Sequence, residues 1–303
     1  MSLAPSIAVP RPRFNPLPLT IGLFCLLWSF AFVAGKIGVT DCPPLLLLTS
    51  RFLLAGILIL GFSALRGEGW GLTWRDAAVF AILGVANNAL YLGLGYTGLK
   101  TVSAGLGALI VSANPVFTAM LAALFLGESL TWRKVAGLLL GIAGVGFIVW
   151  HRMSAGTDSL HGILFTLASL ASIVAGTILF KMLAPKGSLW VGNGVQNLAG
   201  GLAVLPFALT FSSVSDIVPS ARLLGAFAFL VLGGSILACL LWFHLLKVCG
   251  ATAASAYHFL MPPLGMLFAW MVLGEHVETR DLLGIIPVAV GIYLVTRPAA
   301  VRK

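Results

Sequence analysis

Charge is what this chain most lacks. Asp, Glu, Lys and Arg make up 9% of its 303 residues, and only nine are acidic. A soluble domain of this length needs far more polar surface, so lipid must be the main solvent. No polar stretch is long enough to fold in water, which excludes an attached ATPase, and no Gly-x-x-x-x-Gly-Lys-Ser/Thr loop is present to cradle phosphates. The four cysteines, Cys25, Cys42, Cys239 and Cys249, form no Cys-x-x-Cys pair and no metal-ligand spacing with histidine. They read as small apolar residues, and neither metal nor cofactor is expected. Every acidic residue (Asp41, Glu68, Asp76, Glu128, Asp158, Asp216, Glu275, Glu278, Asp281) falls at or near the end of an apolar run. The absence of a carboxylate deep in the bilayer argues against a buried Glu or Asp that alternates between a proton and a cationic drug.

What is present is apolar: 59% hydrophobic residues and a mean hydropathy of +1.06. Ten runs of near-bilayer length recur between short polar breaks, at 17–39, 44–65, 74–96, 102–125, 132–150, 160–183, 189–211, 223–246, 251–273 and 281–296. Residues 1–16 read as a short basic tail ahead of an uncleaved first helix, and 297–303 as a second tail. The net charge of +9 forms no stripe, so nucleic acid is not an expected partner. Orientation explains it instead. With the N-terminus in the cytoplasm, only Lys36, Arg51, Lys100, Arg152, Arg222 and Arg280 of the basic residues fall in the outer half. The expected setting is a bacterial inner membrane with both termini cytoplasmic.

The second half repeats the first at an offset of 147 residues, which carries Gly127-Glu128 onto Gly274-Glu275. The same shift superposes Lys100 on Lys247, Ala104 on Ala251, Pro115 on Pro262, Arg133 on Arg280 and Gly137 on Gly284. The halves are 17–150 and 160–296, joined by a polar connection at 151–159. Five segments per half is an odd number, so the second copy inserts upside down. The expected fold is therefore an all-α membrane protein of about ten transmembrane helices in two inverted five-helix repeats. Such repeats build two related gates around one central site, which points to a small-molecule carrier.

The runs Leu99-Lys100-Thr101-Val102-Ser103-Ala104, Asn114-Pro115-Val116-Phe117 and Leu126-Gly127-Glu128-Ser129-Leu130-Thr131 resemble the drug/metabolite transporter superfamily, in its EamA-type ten-helix branch. The second half repeats them as Gly250-Ala251-Thr252-Ala253-Ala254-Ser255, Met261-Pro262-Pro263 and Leu273-Gly274-Glu275-His276. Within that branch the chain looks most like the YddG-type exporters of aromatic amino acids. The resemblance implies export from the cytoplasm through a central cavity, with amino acids or related metabolites as substrates.

A carrier needs helices that bend and a polar lining at mid-membrane. Pro115 and Pro262 lie near the centres of the fourth and ninth segments, where each removes an amide bond to Val111 or His258. They are candidate hinges, with a static packing kink as the alternative. Gly84, Asn87, Asn88, Tyr91 and Gly95 share one stripe at helical spacing, which suits a substrate path or interhelical hydrogen bonding. Ser112, Asn114, Asn193, Gln196, Asn197, Tyr257 and His258 are further mid-membrane polar candidates. His258 can hydrogen-bond a carboxylate or relay a proton, or simply pack.

Trp28, Tyr91, Trp242 and Tyr257 suit an aromatic wall for a flat side chain. Trp70, Trp74, Trp132, Trp150 and Trp190 suit interfacial anchors. Lys36 and Lys181 are expected to snorkel to water. Arg51, inside the second run, fits a gate or an interhelical contact and receives no substrate role. Gly137 and Gly141 allow close helix approach, within the chain or in a weak dimer.

The substrate expected is neutral or zwitterionic, exported by alternating access. An exchanger of sugar phosphates or nucleotides needs deep Arg or Lys clamps, and the basic residues here are mostly peripheral. An intramembrane enzyme needs a convergent catalytic set, which the sequence does not display.

Overall fold

The computed structural model describes residues 16–67, 70–127, 131–154, 158–276 and 279–296. The two expected tails, except Pro16, lie outside these residues, as do Glu68, Glu128 and Glu278. All regular structure among the described residues is helical. In chain order we label α1 (Leu17–Asp41), α2 (Pro44–Leu65), α3 (Trp74–Leu99), α4 (Ala104–Leu126), α5 (Trp132–Ser154), α6 (Leu160–Leu183), α7 (Leu189–Phe211), α8 (Ala221–Cys249), α9 (251–273) and α10 (Thr279–Thr296). Seven of them, α1–α4 and α6–α8, are long and apolar enough to cross a membrane, and shorter apolar helices accompany them.

Capping chemistry sets the helix starts. The hydroxyls of Thr73, Ser103, Ser159, Ser188 and Ser220 accept the amide N–H of Asp76, Leu106, Gly162, Val191 and Leu223, each filling one otherwise orphaned donor. The shared Leu-Gly-Glu motif is a helix stop: Gly127 and Gly274 end α4 and α9 in left-handed backbone, at φ 68° and 66°. Large apolar side chains such as Leu124, Leu209, Phe211 and Trp270 remain exposed on the outer surface, as lipid-facing helices require.

The repeat appears in the irregularities. A π-helical stretch interrupts α3 at Gly84–Leu92 and another interrupts α8 at Leu230–Ala238, within one residue of the repeat offset. Such widened turns are rare and recur at functional sites. Both α4 and α9 are broken rather than kinked. The first divides into Ala104–Val111 and Asn114–Leu126; the second runs Ala251–Ala256, a 3₁₀ turn at Tyr257–Leu260, then Met261–Leu273. Pro115 and Pro262 sit in the first turn of the new piece, where a missing amide costs little.

Packing crosses between the halves. Repeat-related α2 and α7 lie against each other, as do α5 and α10. α1 packs on α8 and α9, and α6 packs on α3 and α4. Gly137, Gly141 and Gly291 bring α5 and α10 together so closely that a Cβ on Gly291 would meet the Gly137 carbonyl at 2.4 Å. The small-residue pattern therefore serves packing within the chain.

One end of the bundle is tied by charge. Lys36 Nζ donates to the carbonyls of Leu99 and Val102 at 2.7 and 2.8 Å, capping the end of α3 instead of snorkelling. Asp158 accepts from Ser103 N, and Glu275 accepts from Ala104 N and Gly105 N at the start of α4. At the same end Arg222 pairs with Asp41.

Candidate functional site

Between the halves lies a small cavity, with about 70 Å³ of room for the centres of water-sized molecules. Residues from α1, α2, α3, α4, α6, α7 and α8 line it. Its apolar wall includes Trp28, Phe32, Tyr91, Leu92 and Trp242, with the Trp28 and Trp242 rings 6.1 Å apart. Its polar wall includes Arg51, Asn87, Asn88, Tyr96, Ser169 and Gln196.

The polar wall is one connected chain. Asn87 Nδ2 donates to Gln196 Oε1 at 3.5 Å, and Gln196 Nε2 donates to Asn88 Oδ1 at 3.2 Å. Asn88 Nδ2 donates to Asn197 Oδ1 at 3.2 Å; Asn197 Nδ2 then reaches the Asn193 carbonyl at 2.9 Å and the Ser235 carbonyl at 3.4 Å. Asn193 Nδ2 also donates to the Ser235 carbonyl, at 2.9 Å. From the other side Arg51 Nε donates to Ser235 Oγ at 2.8 Å, and Arg51 Nη1 to Tyr96 Oη at 2.8 Å.

Close helix approach makes this chain possible. A Cβ on Gly84 would lie 2.4 Å from the Gln196 carbonyl, and one on Gly200 would lie 2.4 Å from Asn88 Cβ. Burying so many amides is tolerable only because nearly every one is paired. Two buried atoms on cavity-lining residues have no partner among the described residues: Asn87 Oδ1 and Ser169 Oγ.

Of the sequence-predicted residues, Trp28, Asn87, Asn88, Tyr91, Gln196 and Trp242 line the cavity. The stripe on α3, π-helical in its middle, divides: Gly84 and Asn88 meet α7, Gly95 meets α6, and Asn87 touches both. Ser112, Asn114, Tyr257 and His258 are not in the lining. Ser112 Oγ donates to the Leu109 carbonyl at 2.5 Å, and Asn114 Oδ1 accepts from Thr118 at 2.7 Å, so both serve the break in α4. Tyr257 Oη meets Cys249 Sγ at 3.8 Å. His258 is fully buried behind the wall, its ring edge-on to Trp242 at 4.9 Å and to Trp28 at 5.5 Å.

Sequence reasoning missed Phe32, Tyr96, Ser169 and Ser235, and gave Arg51 no substrate role. The available signal was Arg51 itself, a charge inside an apolar run.

Comparison with known proteins agrees with this architecture. The EamA-like transporter family profile matches residues 18–150 and again 160–297. The chain is 28% identical over 288 residues to the uncharacterized transporter YvbV of Bacillus subtilis, covering 94% of this chain and 93% of that one. It is 27% identical to the uncharacterized inner membrane transporter YedA of Escherichia coli, covering 94% and 92%. A chloroplastic WAT1-related protein of Arabidopsis thaliana is 26% identical, covering 89% of this chain and 67% of that one. One crystal structure superposes with a TM-score of 0.69 at 19% identity, over 92% of this chain and 96% of the other, which speaks for the shared fold.

Proposed function

The chain belongs to the EamA-like transporter family, and on that premise we propose that it exports neutral amino acids, aromatic ones among them, or related small metabolites by alternating access. The cavity supports this reading, because flat apolar rings and a hydrogen-bonded polar network line the same space. A flat side chain laid against the Trp28 side of this aromatic cluster gains roughly 1.5–3 kcal/mol from burial. The polar wall then holds the backbone end of the same molecule.

Movement has support in the fold. The π stretches of α3 and α8, and the breaks of α4 and α9, fall at repeat-equivalent positions. Each half thus carries the same two weak points, which suits a protein whose halves exchange roles. The proposal includes a bacterial inner membrane with both termini cytoplasmic; the relative YedA is named as an inner membrane transporter.

The test is flux in liposomes holding the purified protein, with labelled phenylalanine, tryptophan, alanine and a sugar phosphate, with and without a pH gradient. Protein-dependent phenylalanine flux without the gradient is expected. Flux of the sugar phosphate alone, or of none of the amino acids, discards the substrate assignment.

A further inference from the structure

Arg51 is 3% exposed and, among the described residues, is the only charged one in the cavity lining. A buried guanidinium without a counter-ion is strongly unfavourable, so buried cations are nearly always paired with anions. This one is not: no described carboxylate bonds to it. Its Nε and Nη1 are held by two neutral hydroxyls, those of Ser235 and Tyr96. Its carbon lies 5.4 Å from the Phe52 ring centre and 5.7 Å from that of Tyr96. Nη2 meets no acceptor among the described residues. It comes so close to Gly234, another lining residue, that a Cβ there would lie 2.8 Å away.

The amide chain adds a direction. From Asn87 to Ser235 every side-chain amide donates toward Ser235, and Ser235 Oγ accepts from Arg51. Donors therefore run toward the Arg51 end, and the opposite end finishes in an acceptor with no partner, Asn87 Oδ1. The wall therefore ends at a fixed cation on the Arg51 side and, on the other, at an unpartnered carbonyl oxygen buried against Gly176 of α6.

We propose that Arg51 is the anchor for a carboxylate on the transported molecule. The substrate class this defines is a small carboxylate, with or without an ammonium group. Nη2 supplies the anion contact, while Ser235 and Tyr96 hold the planar fork in place. The inference rests on reading this cavity as the transport site, but it does not require that the cargo be an amino acid.

The test is binding to the purified full-length protein in nanodiscs, using matched pairs that differ only at the carboxyl group: 3-phenylpropionate against 3-phenylpropanamide, and phenylalanine against its amide. The carboxylate of each pair is expected to bind roughly tenfold or more tighter, the scale of a hydrogen bond to a charged group. Arg51→Met is expected to abolish that preference. Gly234→Ala keeps the charge but sets a methyl beside Nη2, and is expected to reduce the preference without disturbing the amide chain; it decides the matter alone should Arg51→Met fail to fold. Equal binding within both pairs in the wild type, no binding of either carboxylate, or a preference undiminished in the foldable variants overturns the proposal. Arg51-dependent binding of 3-phenylpropionate without amino-acid flux keeps the anchor and discards amino-acid export. Amino-acid flux with no carboxylate preference does the reverse.

Discussion

Asn88 and Asn197 meet between α3 and α7, the Nδ2 of the first donating to the Oδ1 of the second at 3.2 Å, in a contact where both residues are almost wholly buried. Asn88 also accepts from Gln196. Replacing it by Ala strands a donor and an acceptor at once. Asn88→Ala is expected to lower stability by about 1–2 kcal/mol and to reduce flux, because the chain leading to Asn87 is cut. Unfolding in detergent and liposome flux check the two effects separately, and unchanged flux removes Asn88 from the transport path.

The same interface sets a steric prediction. Gly84→Ala drives a methyl to 2.4 Å from the Gln196 carbonyl, and backbone on a packed helix cannot step aside cheaply. A loss of roughly 1–3 kcal/mol is expected, as for other overpacked sites. Gly22→Ala meets nothing within 4 Å and serves as the neutral control. Equal melting temperatures for the two variants contradict the close approach of α3 and α7.

These cases mark where the sequence was legible. The bounds of α2, α6 and α7 could be read to the residue, since Pro44 and the caps Ser159 and Ser188 stand directly before apolar runs. Trp28, Asn87, Asn88, Tyr91, Gln196 and Trp242 could be picked out because amides and aromatics deep in apolar runs must face something other than lipid. The π stretches could not be read, because Gly84 to Leu92 has the spacing of an ordinary helix and widens only where it meets α6 and α7. Nor could the setting of Arg51 be read, since Tyr96 and Ser235 lie 45 and 184 residues away in sequence. Proline marked both irregular points in α4 and α9, but whether a helix kinks or restarts depends on the neighbouring turns, which local spacing does not determine.

The proposed orientation rests on the distribution of basic residues and is open to direct test. In a background free of native cysteines, Asp216→Cys lies in the connection between α7 and α8, and Lys186→Cys in the connection between α6 and α7; both positions are exposed. A membrane-impermeant maleimide added to intact cells is expected to label the first and spare the second, with the pattern reversed in inside-out vesicles. Labelling of Lys186→Cys in intact cells would invert the proposed topology.

Glu275 spans the halves at the end of the bundle where α4 begins: its two oxygens accept from Ala104 N at 2.9 Å and Gly105 N at 3.1 Å. A carboxylate at a helix start is favoured by both hydrogen bonds and the helix dipole. This contact joins the end of α9 to the start of α4, so it belongs to whichever state holds that end shut. Removing it should shift the population toward a state open at that end. Cys239 reports on the shift, because it lines the cavity and can be left as the sole cysteine. Glu275→Ala forfeits both charged hydrogen bonds, and a roughly tenfold faster alkylation of Cys239 from that side is expected. Glu275→Gln keeps one accepting oxygen and should fall between the wild type and Ala. Asp216→Asn, exposed at the same end and outside this contact, should leave the rate unchanged. A rate that responds equally to all three substitutions would mean that charge at this face, and not the clamp on α4, governs access to the cavity.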